Sequence, residues 1–252
     1  MPTGFFARRT SSITMRQDRN SDIPVHVAIV MDGNGRWAKS KGLQRVMGHR
    51  NAVEAVRAAT EAAAENGVKY LTLYAFSTEN WQRPKEEVEA LMSLLVDAVE
   101  KEEPKLQKNN VRLISIGNTE ALPKAVAEKF NTVVKATSKN TGLTLVVALS
   151  YSGRWEITDA AKRMCEDVAS GKLRASNVTE EKFAGYLQSS AIPDPDLFIR
   201  TGGDLRISNF LLWQAAYAEF YFPKVLWPDF RKEHFLEAMA EFKKRERRFG
   251  KV

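Results

Sequence analysis

Three short polar stretches hold the residues able to do chemistry, and each follows an apolar run of strand length. The first is Asp32-Gly33-Asn34-Gly35-Arg36-Trp37-Ala38, directly after Val25-His26-Val27-Ala28-Ile29-Val30-Met31. An apolar strand delivers Asp32 to a sheet edge, where open α/β sheets place their ligands. Gly33 and Gly35 can take backbone angles closed to other residues and let a ligand lie against N–H groups. Arg36 adds a fixed charge suited to a phosphate oxygen. Together these residue types fit a phosphorylated ligand with a divalent metal.

The second stretch, Ser77-Thr78-Glu79-Asn80-Trp81-Gln82-Arg83-Pro84, follows the strand-like run 68–76. Ser77 supplies a hydroxyl, and Asn80 an amide that donates and accepts together. Taken singly, Ser77 and Glu79 read better as a turn and a helix cap. Trp37 and Trp81 lie beside arginines just past strand ends, a costly place for large aromatics without a ligand, although a core role also accounts for them. The third stretch, Arg200-Thr201-Gly202-Gly203-Asp204-Leu205-Arg206-Ile207-Ser208-Asn209-Phe210, is a second anion-site candidate. Its plain alternative is a Gly-Gly turn with solvated arginines.

Single residues add to this. Glu219 is a carboxylate among aromatic and apolar neighbours and needs an arginine or a metal. His49 opens a predicted helix, where an anion is favoured, with a cap contact as the alternative. His26 reads as a satisfied core residue, His234 as a helix-surface residue, and the basic run 243–248 as a solvated helix face. Gly33-x-Gly35-x-x-Ala38 imitates the dinucleotide fingerprint, but the acidic residue wanted ~20 positions on would be Glu54, inside a helix and before any second strand. The chain has no P-loop, no HExxH helix and no GxSxG elbow.

The elements that must position these residues alternate along the chain. After the first strand come a helix over 49–66, ended by Asn66-Gly67, and the strand 68–76. A helix from Pro84 carries Val88, Leu91, Met92, Leu95 and Val99 on one face, with a kink or break expected at Pro104. Strands are read at 111–117, 143–149, 197–200 and 218–222, and helices at 123–138, 155–168, 180–187, 209–216 and 232–248. The expected fold is a single-domain α/β architecture with a central, mainly parallel six-stranded sheet surrounded by helices.

The chain has 252 residues, enough for one large domain with a substantial core. Net charge +7 and pI near 9.4 favour phosphates, nucleic acid or an acidic membrane surface without choosing among them. The single Cys165 excludes an internal disulfide, suits a reducing compartment and is expected to be buried. No apolar stretch reaches the ~20 residues of a membrane helix. Residues 1–24 are expected to form a disordered tail, since Phe5-Phe6-Ala7 is too short for a signal-peptide core.

Residues 26–38, 76–84, 200–210 and 213–220 together resemble the cis-prenyltransferase family in its bacterial form, with similarity over roughly 25–250. The resemblance implies a catalytic domain over 25–252, a parallel sheet with an apolar tunnel, a homodimer and a cytoplasmic protein with peripheral membrane contact at most. It implies sequential head-to-tail condensation of isopentenyl diphosphate with an allylic diphosphate, farnesyl diphosphate for a bacterial relative. The product would be a long-chain polyprenyl diphosphate such as undecaprenyl diphosphate, precursor of the cell-wall lipid carrier. Asp32 would lead the allylic site with Gly33, Asn34, Gly35, Arg36, Arg45 and His49, and Trp37 would wall the allylic chain. Arg200, Arg206, Ile207 and Ser208 would bind isopentenyl diphosphate, and Asp32 and Glu219 would hold Mg2+. Asn80, near Ser77, Thr78 and Glu79, matches the position linked to proton removal. As an amide is a feeble base, Asn80 is expected to orient substrate while a diphosphate oxygen takes the proton. Trp81 and Arg83 belong to the segment beyond that strand, and Arg248-Phe249-Gly250 matches an end that reaches the partner subunit's site.

The departures are Asp204 and Leu205, and a leucine cannot ligate metal. Trans-prenyltransferases are all-helical with Asp-rich motifs, whereas this chain has no adjacent aspartates. A non-catalytic subunit of the same fold would have lost the Asp32–Arg36 and Ser77–Asn80 motifs. A nucleic-acid-binding domain would leave Asp32 and Glu219 without a purpose, so no nucleic-acid partner is expected.

Overall fold

Six strands with side chains alternating above and below give a sheet with two apolar faces. In the computed structural model, which describes residues 22–245, these are β1 (His26–Val30), β2 (Tyr70–Ser77), β3 (Arg112–Ile116), β4 (Thr144–Tyr151), β5 (Leu197–Arg200) and β6 (Glu219–Tyr221). Every pairing is parallel, and the order is β3-β4-β2-β1-β5-β6. Val27, Ile29, Leu71, Leu73, Leu145, Leu197 and Ile199 lie in one core; Ala28, Val30, Val146, Ala148 and Phe198 lie in the other with Phe210. The all-parallel sheet goes further than the mainly parallel one expected.

The helices are α1 (Asn34–Ser40), α2 (Arg45–Glu65), α3 (Lys85–Lys108), α4 (Lys124–Ala136), α5 (Gly153–Ala169), α6 (Glu180–Ala184) and α7 (Lys232–Lys243). Buried residues of α2, α3, α4 and α7 cover the first core. Helix α1 has no counterpart in the sequence reading, because Asn, Gly and Trp are poor helix formers and contacts with α2 make the helix instead. Residues 209–216, read as a helix, form a loop followed by a 3-10 turn at Gln214–Tyr217. Pro104 breaks nothing, since it sits near the carboxyl end of α3, where it removes little of the helix. Cys165 is exposed on α5, contrary to expectation, while its neighbour Met164 is buried. The expected tail falls almost wholly outside the described residues, as does Arg248-Phe249-Gly250.

The chain passes from β1 to β2 on one side of the sheet, while β5 and β6 lie on the other. Such a reversal opens a crevice at the carboxyl ends of the two central strands, here β1 and β5. No described helix is long and apolar enough to cross a membrane.

His26 anchors the other end of β1. It is fully buried, with Nδ1 2.7 Å from the Pro193 carbonyl and Nε2 2.7 Å from the Thr72 hydroxyl. The carbonyl can only accept, so Nδ1 carries the proton and Nε2 accepts from Thr72. Burial lowers the His26 pKa to about 4, against hydrogen bonding to Pro193 and the Asp196 charge, which favour protonation. Between about 4 and about 6.5 the unfolded chain therefore binds the extra proton. Stability from this residue is complete above about 6.5 and is lost as pH falls toward 4, on the order of 3 kcal/mol in all. Urea unfolding followed from pH 7.5 to 4 should show this loss, and His26→Gln should flatten part of it. An identical pH slope in the variant would refute the assignment.

Candidate active site

Parallel register places Val30 opposite Arg200 and so brings the ends of β1 and β5 together. Arg200 Nη2 donates to Asp32 Oδ2 at 2.7 Å, and Nη1 donates to the Arg206 carbonyl at 2.6 Å and the Ser208 hydroxyl at 2.5 Å. The Arg200 side chain is 4% exposed. The Thr201 hydroxyl donates to the Asp32 carbonyl at 2.7 Å, fixing the residue from behind. Burial pushes the Asp32 carboxyl upward, but the hydrogen bond and charge of Arg200, with Arg36, outweigh it and hold the pKa below the usual carboxylate range. Asp32 is therefore an anion at neutral pH.

Gly33, at φ 113°, turns the chain from β1 into α1, and an added Cβ would lie 2.9 Å from Leu226. Arg36, one turn into α1, donates to the Gly202 carbonyl at 2.8 Å and lies 3.3 Å from Asp32 Oδ1 and 3.2 Å from Asp204 Oδ2. Asp204 also accepts from Arg206 at 2.9 Å. Asp204 is thus the carboxylate that spaces the arginines. Gly202 has φ +87°, and a Cβ there would lie 2.4 Å from Arg36 Nη2.

A second basic group comes from α2 and the start of α3. Glu87 holds Arg45 at 3.3 Å and Arg83 at 2.9 Å. Beside them burial lowers the His49 pKa to about 4, helped by Arg83 and Arg45, so His49 is a neutral imidazole. It sits within the second turn of α2, past the helix start expected of it. Gly48 lets α1 cross α2, since a Cβ there would sit 2.1 Å from the Asn34 carbonyl. The ion pairs of both groups join five arginines to three carboxylates and leave positive charge for an anion.

The stretch after β2 is a 3-10 turn, Thr78–Gln82, closed by a capping box between Ser77 and Asn80. Asn80 Oδ1 accepts from the Ser77 N–H at 3.0 Å, so the oxygen is committed and the amide NH2 is left for a ligand. The cap pairs Ser77 with Asn80, not with Glu79 as expected. Glu79 Oε1 instead accepts from Asn209 Nδ2 at 2.8 Å.

These groups form the polar part of a cavity of about 690 Å³, contributed by Asp32, Asn34, His49, Ser77, Glu79, Asn80, Arg83, Arg200, Arg206, Ser208 and Asn209, while Phe76, Leu91 and Met92 are among its apolar lining. Asn209 was not singled out from the sequence, and its signal would have been the Ser-Asn pair closing the arginine loop. A second cavity of about 710 Å³ lies between the sheet and helices α2 and α3, lined by Leu73, Val99, Leu113, Leu145 and Val147 among others. The two share Met31, Val53, Val56, Ala75, Leu95 and Ala98, so a charged chamber borders an apolar one. Gly33, Gly35, Arg36 and Arg45 line an adjoining hollow of about 480 Å³ with Asp32.

Other expected residues stand apart from these cavities. Trp37 donates to Asp229 at 2.8 Å; Trp81 packs edge-on to Phe76 and donates to Ser150 at 2.9 Å. Thr78 bonds to Glu79, and Ile207 packs on the second core. Glu219 is not beside Asp32 in the chain. It pairs with Leu197 at the start of β5, whereas the site lies beyond Arg200, its end, three residues or roughly 10 Å along the strand. Its carboxylate accepts from Arg245 at 2.9 Å, so the cation it needs is an arginine.

No group of three or more metal-ligating side chains exists among the described residues. Mg2+, however, is commonly held by one or two carboxylates with substrate phosphates and water. The ionised Asp32 and the buried, unpartnered Oδ1 of Asn34 beside the cavity are hard oxygen donors of that kind. Within this chain Asp32 and Asn34 line the cavity, and Glu219 does not.

The family model for prenyltransferases of the undecaprenyl diphosphate synthase type matches residues 30–250. The chain belongs to this prenyltransferase family. An isoprenyl transferase of Porphyromonas gingivalis is 52% identical over 91% of both chains. Another, of Geobacter sulfurreducens, is 50% identical over 91% of this chain and 94% of its own. Among solved structures, lavandulyl diphosphate synthase of Lavandula x intermedia in complex with dimethylallyl diphosphate has a TM-score of 0.89 at 34% identity, covering 91% of this chain and 99% of that one. A probable undecaprenyl diphosphate synthase of Campylobacter jejuni has a TM-score of 0.76 at 38% identity, covering 90% and 99%.

For this member of the prenyltransferase family, Gly202→Ala should weaken pyrophosphate binding roughly tenfold, through a strained backbone and a displaced Arg36. Titration calorimetry reads this directly, and unchanged affinity would show that Arg36 is not part of the anion site.

Proposed function

We propose that the chain condenses isopentenyl diphosphate repeatedly with an allylic diphosphate, farnesyl diphosphate first, to give a long-chain polyprenyl diphosphate with cis double bonds. The observation that carries this reading is the joining of the arginine-rich chamber at Asp32 to the apolar cavity under α2 and α3. A diphosphate suits the first and an isoprenoid chain the second. The apolar cavity is our candidate for the product tunnel. The lavender enzyme's dimethylallyl diphosphate complex supports an allylic diphosphate as one ligand.

In this reading the allylic diphosphate lies by Asp32, Asn34, Arg36, Arg45 and His49, and isopentenyl diphosphate by Arg200, Arg206 and Ser208. As the new carbon–carbon bond forms, the allylic carbon–oxygen bond breaks and the diphosphate departs carrying its negative charge. The guanidinium groups are fixed by their carboxylates before that charge develops, so they stabilise it without reorganising. Mg2+ held by Asp32 would supply further neutralisation of the diphosphate. The neutral His49 imidazole can hydrogen-bond a phosphate oxygen without adding charge. Asn80 donates through its NH2 and orients the substrate, and the lost proton goes to a diphosphate oxygen. We further propose a homodimer acting in the cytoplasm, with peripheral membrane contact where the lipid product leaves.

Incubation with labelled isopentenyl diphosphate, farnesyl diphosphate and Mg2+ should yield polyprenyl diphosphate. Chelation should abolish turnover and added Mg2+ restore it, while Asp32→Asn should lower kcat/KM by roughly 10²–10³-fold. Absence of any elongated product would sink the proposal. Because Ala98 borders both cavities, Ala98→Phe should shorten the product, as read by chain-length analysis. An unchanged length distribution would remove the apolar cavity from its proposed role.

A further inference from the structure

Asn209 joins three segments, and none of the roles above uses it. Its carbonyl accepts from the Gly153 N–H at 2.7 Å and its Oδ1 from the Arg154 N–H at 2.9 Å, tying it to the start of α5. Its Nδ2 donates to Glu79 Oε1 at 2.8 Å, across to the turn after β2. The backbone that allows this has φ +60°, a conformation asparagine tolerates better than most residues. Both Asn209 and Glu79 line the polar cavity.

The bond to Glu79 is not needed by either loop for its own shape. The Ser77–Asn80 capping box already closes the turn after β2, and Arg200 already pins 206–208 through the Arg206 carbonyl and Ser208. What the bond fixes is the placement of one loop against the other. Ser208, on the isopentenyl side, immediately precedes Asn209, and Glu79 immediately precedes Asn80. Burial would raise the Glu79 carboxyl, yet the Asn209 hydrogen bond and its neighbours keep its pKa below the usual range, so the acceptor is an anion.

We propose that the Asn209–Glu79 hydrogen bond is a clasp that sets Asn80 and Ser77 against the isopentenyl diphosphate loop, making Asn209 a positioning residue for prenyl transfer. The proposal rests on the function proposed above. The clasp is partly exposed to water, so it adds little to global stability and acts on local order. It also makes each loop's position depend on the other, so a ligand that orders 200–209 orders 77–83 as well.

Asn209→Asp separates the clasp from the fold. Aspartate tolerates the positive φ and can still accept from Arg154, but it cannot donate to Glu79 and sets carboxylate against carboxylate. It should lower kcat/KM for isopentenyl diphosphate roughly tenfold, speed hydrogen exchange in 77–83 and leave the thermal midpoint near the wild-type value. Adding Glu79→Gln supplies an amide that donates to the new aspartate, and the double variant should recover most of the rate and the slow exchange. Wild-type rate and exchange in Asn209→Asp would overturn the clasp, and so would a defect that the double variant does not relieve. If the wild-type protein elongates no prenyl chain, the proposed function fails, while exchange in 77–83 still decides whether the clasp exists.

Discussion

Arg200 carries a guanidinium into a position almost closed to water, and the arrangement of the site follows from neutralising it. The carboxylate that does so comes from a different strand, 168 residues earlier in the chain. Removing one partner of such a pair leaves the other uncompensated at a cost of ~3–5 kcal/mol, so β1 and β5 must end in register. That register turns two strand ends into one crevice. The other terminal guanidinium nitrogen, Nη1, then gathers the Arg206 carbonyl and the Ser208 hydroxyl, so the same buried charge shapes the loop beyond β5. Asp32 is held ionised by that neighbour before any ligand arrives.

That loop is costly in backbone terms. Ser208, Asn209 and Leu211 all have positive φ, as does Ser150 at the end of β4, and none is a glycine. Such conformations persist only where the surroundings over-determine them, and they gather at ligand sites. Here the determinants are visible: Arg200 on Ser208, the start of α5 on Asn209, and Trp81 on the Ser150 hydroxyl. Packing supports them from below, where Phe210 stacks on Tyr74 at 4.3 Å, in the core on the far side of the sheet from α2 and α3. The candidate site is carried by loops, and the buried aromatics keep those loops from relaxing.

The strands and most helices are legible in the sequence because burial on both faces leaves near-continuous apolar runs, as in β1 and β4, where every residue is buried. The Arg200 strand is read to the residue for the same reason. Helix α1 is not legible, since its stability lies in the Gly48 crossing and not in its own composition. Ser77 and Arg200 end their strands and Asp32 follows β1 by two residues, so the apolar runs locate all three at the crevice. Glu219 opens β6, and in a parallel sheet a strand's first residue lies at the end away from the crevice. Trp37 and Trp81 line neither cavity, since proximity to an arginine in sequence says nothing of which way a ring turns. Of the two carboxylates that the resemblance pairs, Asp32 lies at the crevice of this chain and Glu219 bonds to Arg245.

Helices α2 and α3 explain how charge and grease can share one boundary. Both start at the polar cavity and run away from it along the apolar one, so position along each helix sets distance from the anion site. His49 and Ala52 line the charged chamber; Val53 and Val56 border both; Thr60 and Ala64 line the apolar cavity alone. The eight steps from His49 to Arg57 span about 12 Å of helix axis. Ion pairs tie the two helices at either end of that path, Arg45 to Glu87 near the anion site and Arg57 to Glu102 farther along, the latter bidentate at 2.5 and 3.1 Å. Between the ties Val53, Val56, Leu95 and Ala98 line both cavities, and Val99 lines the apolar one. Alanines 55, 59, 62 and 63 meanwhile let the buried face of α2 pack closely into the core. One helix thus seals the hydrophobic core with its smallest side chains and walls an apolar chamber with its branched ones. The boundary between the two chambers therefore falls at Val53, Val56, Leu95 and Ala98, between the ion pairs that hold α2 against α3.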